Sequence, residues 1–298
     1  MPSSRRLIDD CFLHDKDRLR HHEALEILRS RVAPVTGIET VPLAQAAGRC
    51  LAEAIVAPRD VPGADNAAVD GYAFRHADHA ETGGFFRLQT RIAAGHPVET
   101  PLLPGAAARI FTGALMPPGA DTIAMQEDCD THEQDGQPFV IVPQGLKPGA
   151  NTRRAGEDLK AGAELVASGT RLRPQDLGAI ASTGTAEVKV HAPVRVALIS
   201  TGDELRRPGQ DLPPGGVYDS NHFLLRALLE TMGATVTDFG ILQDDAEVVR
   251  QALTNAAADH HVILTTGGAS RGEEDHMVTA LDTLGSRHMW QLAIKPGR

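Results

Sequence analysis

The last third of the chain, residues 194–298, alternates apolar strand-like runs with segments of helical periodicity. The strand-like runs are Val194–Ser200, Thr235–Leu242, Val262–Thr266 and Met289–Ile294, and the helical segments are Asn221–Met232, Ala246–Ala257 and His276–Leu284. Strands that alternate with helices of this length are typical of a parallel, doubly wound α/β sheet. No other feature of the sequence constrains the fold as strongly.

The middle of the chain has a different pattern. Residues 56–162 contain short alternating runs, such as Phe86–Ile92, between clusters of Gly, Pro, Asp and Asn. This pattern predicts a β-rich unit of short strands and turns. Residues 1–18 have no apolar periodicity, and we expect them to form a tail.

Two further stretches flank the β-rich region. Residues 19–55 begin with a helical pattern that Pro34 ends, and a short helical segment is expected around residues 44–54. Residues 163–193 contain a helix with Pro174 in its first turn, followed by a strand-like run.

The composition excludes several classes of protein. The 298 residues carry a formal charge of −10, which disfavours binding to nucleic acid and to anionic membranes. No stretch approaches the roughly 18 apolar residues of a membrane-spanning helix, and residues 1–20 lack the features of a secretory signal. The three cysteines lie far apart, which suits a reducing compartment. We therefore expect a cytoplasmic protein without nucleic-acid or membrane partners.

Polar residues follow every predicted strand of the α/β region, where open parallel sheets bind their ligands. They are Thr201–Glu204, Asp244 with Asp245, Gly267–Asp275 and Lys295–Arg298. Helix capping would explain an aspartate at any one of these ends. Carboxylates at three ends of one sheet favour a shared Mg²⁺ site, because converging carboxylates repel one another unless a cation lies between them.

The third of these loops and the chain end supply candidate anion ligands. Gly267 and Gly268 let backbone N–H groups approach a phosphate, and Ser270 adds a hydroxyl donor. Lys295 and Arg298 add positive charge. The double glycine matches neither the Walker loop nor the dinucleotide-binding fingerprint. These five residues are therefore candidates for binding an anionic substrate.

The β-rich region has three polar clusters of its own, at Asp60–Tyr72, Ile110–Gly113 and Arg153–Asp158. The first is also typical of an Asx-rich surface loop. Local ion pairing would explain the third without any function. The residues alone leave both interpretations open.

Nine motifs, in this order, resemble the molybdopterin molybdenumtransferases, the MoeA and gephyrin E-domain family, from about Leu19 to Arg298. The motifs lie at residues 60–73, 110–113, 125–128, 153–158, 200–205, 218–221, 240–245, 266–275 and 290–297. Each motif is weak alone, and their common order makes the resemblance specific.

The resemblance implies a reaction and a set of functional residues. Adenylated molybdopterin, held with Mg²⁺, would be hydrolysed to release AMP while molybdate enters the pterin dithiolene. Lys295 and Arg298 would meet molybdate or phosphate, and Asp244 and Asp275 would be the Mg²⁺ ligands. The residues that match the family's functional positions are Asp70, Thr112, Asp158, Glu204, Asp244 and Asp275.

The resemblance also implies an assembly. Residues 19–55 and 163–193 would form a discontinuous N-terminal domain, residues 56–162 an inserted β-rich domain, and residues 194–298 the molybdopterin-binding α/β domain. The family forms a homodimer in which the α/β domain of one subunit and the β-rich domain of the other share the active cleft. The enzyme that adenylates the pterin is a further candidate partner.

The sequence departs from the family pattern at several positions. Ala67 and Val69 stand where Ser and Met are usual, and Gln291 stands where Lys is common. Beyond the position of Arg298 the family continues with a Gly-Leu-Pro-Gly-Asn-Pro loop and a small β-barrel. The resemblance therefore predicts a chain that is truncated at its C-terminal end.

Two other functions stay open. One is a pterin adenylyltransferase or nucleotide hydrolase on the same α/β domain, because a fold does not determine a function. The other is a non-catalytic binding or scaffold module. The cluster Glu273–Asp275 and the region carrying Asp70 and Thr112 favour the molybdenumtransferase over the first alternative. Clustered like charges argue against a scaffold, which has no need of them.

Overall fold

The structure is a computed structural model that describes residues 20–267 and 276–286. The chain divides into two compact units. One unit is Thr40–Val190, and the other comprises the described residues of Met1–Glu39 and His191–Arg298. The first unit holds the β-rich region and the second holds the α/β region.

Most elements before residue 192 are short strands. In chain order the α-helices and strands are α1 (His21–Arg31), β1 (Ile38–Pro42), β2 (Ile55–Val56), β3 (Asn66–Ala67), β4 (Gly71–Phe74), α2 (His79–Thr82), β5 (Phe85–Ile92), β6 (Ala106–Ile110), β7 (Thr122–Met125), β8 (Asp130–Gln134), β9 (Gln137–Ile141), β10 (Thr152–Arg153), β11 (Glu164–Val166), α3 (Pro174–Ser182) and β12 (Glu187–His191). Pro174 begins α3, as predicted, because its fixed φ suits the first turn and that turn needs no N–H from it.

The helical segment predicted around residues 44–54 is wrong. A single 3₁₀ turn, Leu43–Gln45, forms there. The backbone then pairs with distant residues, and the N–H of Leu51 donates to the carbonyl of Thr170 over 2.9 Å. Because long-range pairing satisfies these backbone groups, tertiary context overrides the local helical pattern.

A six-stranded sheet lies at the centre of the β-rich unit, with the strand order β7-β4-β6-β5-β9-β8. β5 and β6 are parallel, and the other neighbours are antiparallel. One face of the sheet packs around Ile92, Ile110 and Ile123, and another cluster packs around Phe74 and Phe86. The predicted β-rich character of this region is confirmed.

A separate core joins the residues before this sheet to those after it. Val41 and Leu51 pack with Leu172 and Ile180. β1 pairs with β12, and β2 pairs with β11. The predicted division into a discontinuous N-terminal domain and an inserted β-rich domain stays a prediction.

The α/β unit continues the chain from residue 195. Its elements are β13 (Arg195–Thr201), β14 (Leu205–Arg206), β15 (Val217–Tyr218), α4 (Ser220–Thr231), β16 (Thr235–Leu242), α5 (Ala246–Asp259), β17 (Val262–Thr266) and α6 (His276–Leu284). None of the described helices combines the length and the apolar character that a membrane span requires.

The strands β16, β13 and β17 form a parallel sheet in that order. Ala197 and Ile199 of β13 pack against α5 and α6. The predicted parallel α/β sheet is confirmed for these three strands, and the predicted strand Met289–Ile294 lies outside the described residues.

The strand order also marks where a ligand would bind. The chain leaves the central strand β13 for β16 on one side and returns to β17 on the other. The loops after β13 and β17 therefore leave the same edge of the sheet at a topological switch point. Ligands of open α/β sheets bind at such points.

Candidate functional site

Glu204 lies in the loop after β13, at the switch point. It lines a cavity of about 380 Å³ together with Thr201, Tyr218, Asp219 and Gly267. Gly267 has a φ of +86°, and a Cβ there would lie 2.5 Å from the carbonyl oxygen of Thr201. Only glycine allows this approach of the two loops. The cavity wall thus joins the ends of β13 and β17 around an exposed carboxylate.

Asp244 lies in a second cavity, of about 890 Å³, beside the ends of β13 and β16. Its backbone N–H donates to Oδ1 of Asp203 over 3.4 Å, so two neighbouring loops bring two acidic residues together. Asp245 caps α5, because its Oδ1 accepts the backbone N–H groups of Glu247 and Val248. The capping role that the sequence left open therefore falls to Asp245 rather than to Asp244.

The oxygen donors of this cavity fit a magnesium ion whose remaining ligands come from a bound substrate. The described residues contain no group of three His, Cys, Asp or Glu able to hold a metal ion alone. Asp203 and Asp244 nevertheless provide two carboxylates in one cavity. Mg²⁺ is commonly bound by one or two carboxylates, with substrate phosphates and water as its other ligands.

An ion-pair network anchors the loop that follows β14. Arg207 donates to both carboxylate oxygens of Asp238 on β16, over 2.8 and 3.0 Å, and to Asp219 over 3.3 Å. The Asp219 side chain is 1% exposed and also caps α4 by accepting the N–H of His222 over 3.1 Å. Arg207 thereby ties the segment that begins at Glu204 to both the sheet and α4.

Asp70 and Thr112 meet in the β-rich unit. Asp70 precedes β4 and Thr112 follows β6, and these antiparallel neighbours place the two residues side by side. Thr112 donates to Oδ1 of Asp70 through its hydroxyl, over 2.6 Å, and through its backbone N–H, over 2.8 Å. The hydroxyl bond, followed by the backbone bond, holds the pKa of Asp70 below its usual range. Asp70 is therefore a stable negative charge and acceptor, and a weak base.

Asp158 lies in a loop that pairs with the loop before Asp70. Its backbone N–H donates to the carbonyl of Val61 over 3.0 Å. Its side chain accepts a hydrogen bond from Arg153 over 2.5 Å, so the local ion pair considered for this loop is present. Among the described residues, no hydrogen bond or ion pair joins Asp158 to Asp70 or Thr112.

A second pairing binds the same two loops together. Asp65 accepts the backbone N–H of Ala155 over 2.8 Å and a guanidinium hydrogen bond from Arg154 over 2.6 Å. The backbone bond and then the arginine lower the pKa of Asp65. The two polar clusters that the sequence showed separately are thus one structural unit.

A stacked group that the sequence analysis missed lies directly beside Thr112. The guanidinium carbon of Arg109 lies 4.7 Å from the centre of the Phe111 ring and 5.0 Å from that of Tyr72. The guanidinium carbon of Arg91 lies 4.5 Å from the centre of the Phe111 ring. The available signal was the strand-like run that ends in Phe111, because Arg109 lies two residues before Phe111 and therefore on the same face of a strand.

Five predicted site residues lie outside the described residues. They are Gly268, Ser270, Asp275, Lys295 and Arg298. Their roles stay predictions, and Asp244 is the only one of the two expected Mg²⁺ ligands that the structure describes.

Two family models match the chain. The model described as "MoeA N-terminal region (domain I and II)" matches residues 19–184. The model described as "Probable molybdopterin binding domain" matches residues 197–298. The two matches cover both compact units.

Individual proteins are similar over most of the chain. A molybdopterin molybdenumtransferase of Haemophilus influenzae is 38% identical over 267 residues, which cover 88% of this chain and 64% of that protein. A molybdopterin molybdenumtransferase of Synechococcus elongatus is 34% identical, and the match covers 94% of this chain and 71% of that protein. A crystal structure of the molybdopterin biosynthesis MoeA protein from Pyrococcus horikosii has a TM-score of 0.78 at 32% identity. The match covers 94% of this chain and 70% of that chain.

This chain therefore spans less than two thirds of the Haemophilus influenzae relative. The matches to both family models, together with more than 30% identity over about 70% of a relative's length, show the family. The chain belongs to the MoeA family.

Proposed function

We propose that this chain acts in molybdenum cofactor biosynthesis as a molybdopterin molybdenumtransferase. In the proposed reaction the phosphoanhydride of adenylated molybdopterin is hydrolysed, AMP leaves, and molybdate enters the pterin dithiolene. One observation carries the proposal: the motif carboxylates Glu204 and Asp244 follow the adjacent parallel strands β13 and β16 at one edge of the sheet. This edge is where such folds bind phosphate-bearing ligands.

We propose Asp244 and Asp275 as the ligands of a magnesium ion, with Asp203 beside Asp244 as a further carboxylate. When bound, Mg²⁺ would neutralise phosphate oxygens and the negative charge that develops on the leaving AMP. Lys295 and Arg298 would bind the oxyanions. Gly267, Gly268 and Ser270 would offer backbone and hydroxyl donors to the same groups.

The β-rich unit would supply charge and position rather than a base. Asp70 keeps its negative charge at neutral pH because Thr112 donates two hydrogen bonds to it. Asp158, paired with Arg153, would be the second acidic residue of this unit at the cleft. We propose that the cleft is completed in a homodimer, by the β-rich unit of one subunit and the α/β unit of the other.

Calorimetric titration of the purified chain with adenylated molybdopterin, with and without Mg²⁺, tests the proposed function first. Binding should require Mg²⁺, and adding molybdate should then release AMP. Asp244→Asn should weaken Mg²⁺-dependent binding by about tenfold or more, since it removes one charged ligand. Asp245→Asn is the matched control, because asparagine preserves the cap of α5.

Three outcomes would contradict the proposal. Equal losses in Asp244→Asn and Asp245→Asn would refute the metal assignment. Transfer of AMP from ATP to unadenylated pterin would indicate an adenylyltransferase. Mg²⁺-independent binding without AMP release would indicate a binding module.

The shared cleft has its own test. Asp70→Asn and Asp244→Asn subunits are mixed and allowed to exchange. In a composite site, each mixed dimer keeps one cleft with both aspartates intact, so AMP release should recover to a fraction of the wild-type rate. Absence of recovery in demonstrated mixed dimers would place both residues in a site within one subunit.

A further inference from the structure

Two arginines lie directly opposite each other on the central sheet of the β-rich unit. β5 and β6 are parallel neighbours, and Arg91 of β5 is in register with Arg109 of β6. Arg109 is also in register with Tyr72 of the antiparallel neighbour β4. Three adjacent strands thus present a row of arginine, arginine and tyrosine beside Thr112.

Like charges directly opposite each other on neighbouring strands destabilise a sheet. Here the Phe111 ring lies within 4.5 Å of the Arg91 guanidinium carbon and within 4.7 Å of that of Arg109. Cation–π attraction to this ring offsets part of the repulsion. The stacking on Phe111 also restricts both guanidinium groups. The two positive charges are therefore held in fixed positions although their repulsion lowers the stability of the sheet.

The two arginines differ in how their charge is compensated. Arg109 donates to the carbonyl of Gly71 over 2.9 Å and to the side chain of Gln126. Hydrogen bonds from Thr112 are the main cause that lowers the pKa of Asp70, and the positive charge of Arg109 lowers it further. Arg91 is exposed, and no carboxylate in the described part of the chain forms an ion pair with it. The uncompensated positive charge of the row therefore lies on Arg91.

We propose that Arg91 and Arg109, stacked on Phe111, form a phosphate-binding subsite next to Asp70 and Thr112. The planar guanidinium of Arg91 offers paired N–H donors that match two phosphate oxygens. Arg109, in register with Arg91, adds a second positive charge and offsets part of the negative charge of Asp70.

The identity of the natural ligand rests on the function proposed above, whereas the phosphate-binding subsite itself does not. The proposed substrate carries a phosphoanhydride with two negative charges, and Asp244 and Asp275 would offset the charge of a bound Mg²⁺. The linkage would therefore be stabilised by further positive charge. The subsite would hold this linkage from the side of the β-rich unit. It would therefore orient the substrate across the shared cleft.

Inorganic pyrophosphate tests the subsite independently of catalysis. It is titrated into the full chain by calorimetry at fixed ionic strength, without pterin or molybdate. Arg91→Gln should weaken binding by about tenfold, the effect of losing one charge-assisted contact. Arg87→Gln is the matched control, since Arg87 is an exposed arginine on the same strand, and it should change the affinity by less than about twofold.

Thermal unfolding separates a binding defect from a folding defect. Arg91→Gln should leave the melting temperature unchanged or raise it, because it removes a like-charge pair. Pyrophosphate should raise the melting temperature of the wild type more than that of Arg91→Gln. An Arg91→Gln affinity equal to wild type, or an equal loss in Arg87→Gln, would overturn the subsite even if AMP release is observed. Arg91-dependent binding in a chain without AMP release would support the subsite while contradicting the proposed function.

Discussion

The ion-pair network at Arg207 allows a stability change to be calculated from the structure. Arg207→Met keeps most of the side-chain volume but removes the charge that faces Asp219 and Asp238. Breaking a buried pair by deleting one partner costs about 3–5 kcal/mol. The Asp219 side chain is 1% exposed but keeps the hydrogen bond by which it caps α4, and the Asp238 side chain is 35% exposed. We therefore expect a loss at the lower end of this range, about 3 kcal/mol.

Hydrogen exchange followed by mass spectrometry is the appropriate assay, because it reports on the α/β unit separately from the β-rich unit. The slow amides of β13 and β16 should lose protection corresponding to about 3 kcal/mol in Arg207→Met. The matched control is Arg226→Met on α4. Arg226 forms an exposed pair with Glu230 over 2.9 Å, so its loss should cost less than about 0.5 kcal/mol.

A double-mutant cycle tests the physical reason. Asp219→Asn removes the buried charge and retains a good capping residue. In the background of Asp219→Asn, Arg207→Met should therefore cost at least about 1 kcal/mol less than in the wild type. The reasoning is refuted if Arg207→Met costs under about 1 kcal/mol, or no more than Arg226→Met.

Three further predictions concern single positions. Gly267→Ala should destabilise the α/β unit by at least about 1–3 kcal/mol, measured by urea unfolding, because its φ is +86° and its Cβ would collide with Thr201; a neutral effect would show that this loop shifts freely. Asp245→Ala should cost about 1 kcal/mol in the same assay through loss of the α5 cap, while Asp245→Asn should cost little; equal costs would contradict the capping role. Burial, followed by Asp128 and Asp130, raises the pKa of the Cys129 thiol to about 11. At pH 8 its alkylation, measured by peptide mapping, should therefore be about 100-fold slower than in the unfolded chain and should accelerate as the pH rises toward 11; alkylation at the unfolded rate would contradict this pKa.

Most elements of the α/β unit could be predicted from the amino-acid sequence. The runs Thr235–Leu242 and Val262–Thr266 coincide with β16 and β17, and His276–Leu284 coincides with α6. Strand-like runs with β-branched residues and helical periodicity are both local patterns, so neighbouring residues are enough to identify each element. Because ligands bind at the carboxyl ends of such strands, Glu204 and Asp244 could also be singled out from the sequence.

Which side chains contact one another depends on the pairing and packing of distant segments. Asp70 and Thr112 are 42 residues apart, and Arg207 and Asp238 are 31 residues apart. No local period encodes such pairs, because strand order and register determine them. The same reason explains the missing helix around residues 44–54, where backbone groups found partners far along the chain.

The arginine row is the clearest case of this division. The sequence shows Arg91 and Arg109 as alternate residues of two separate strand-like runs, each typical of a solvent-facing position. Their charges become neighbours only because β5 and β6 pair in parallel and in one register. The alternation along a strand determines on which face of the sheet a side chain lies. The order and register of the strands determine which side chains become its neighbours.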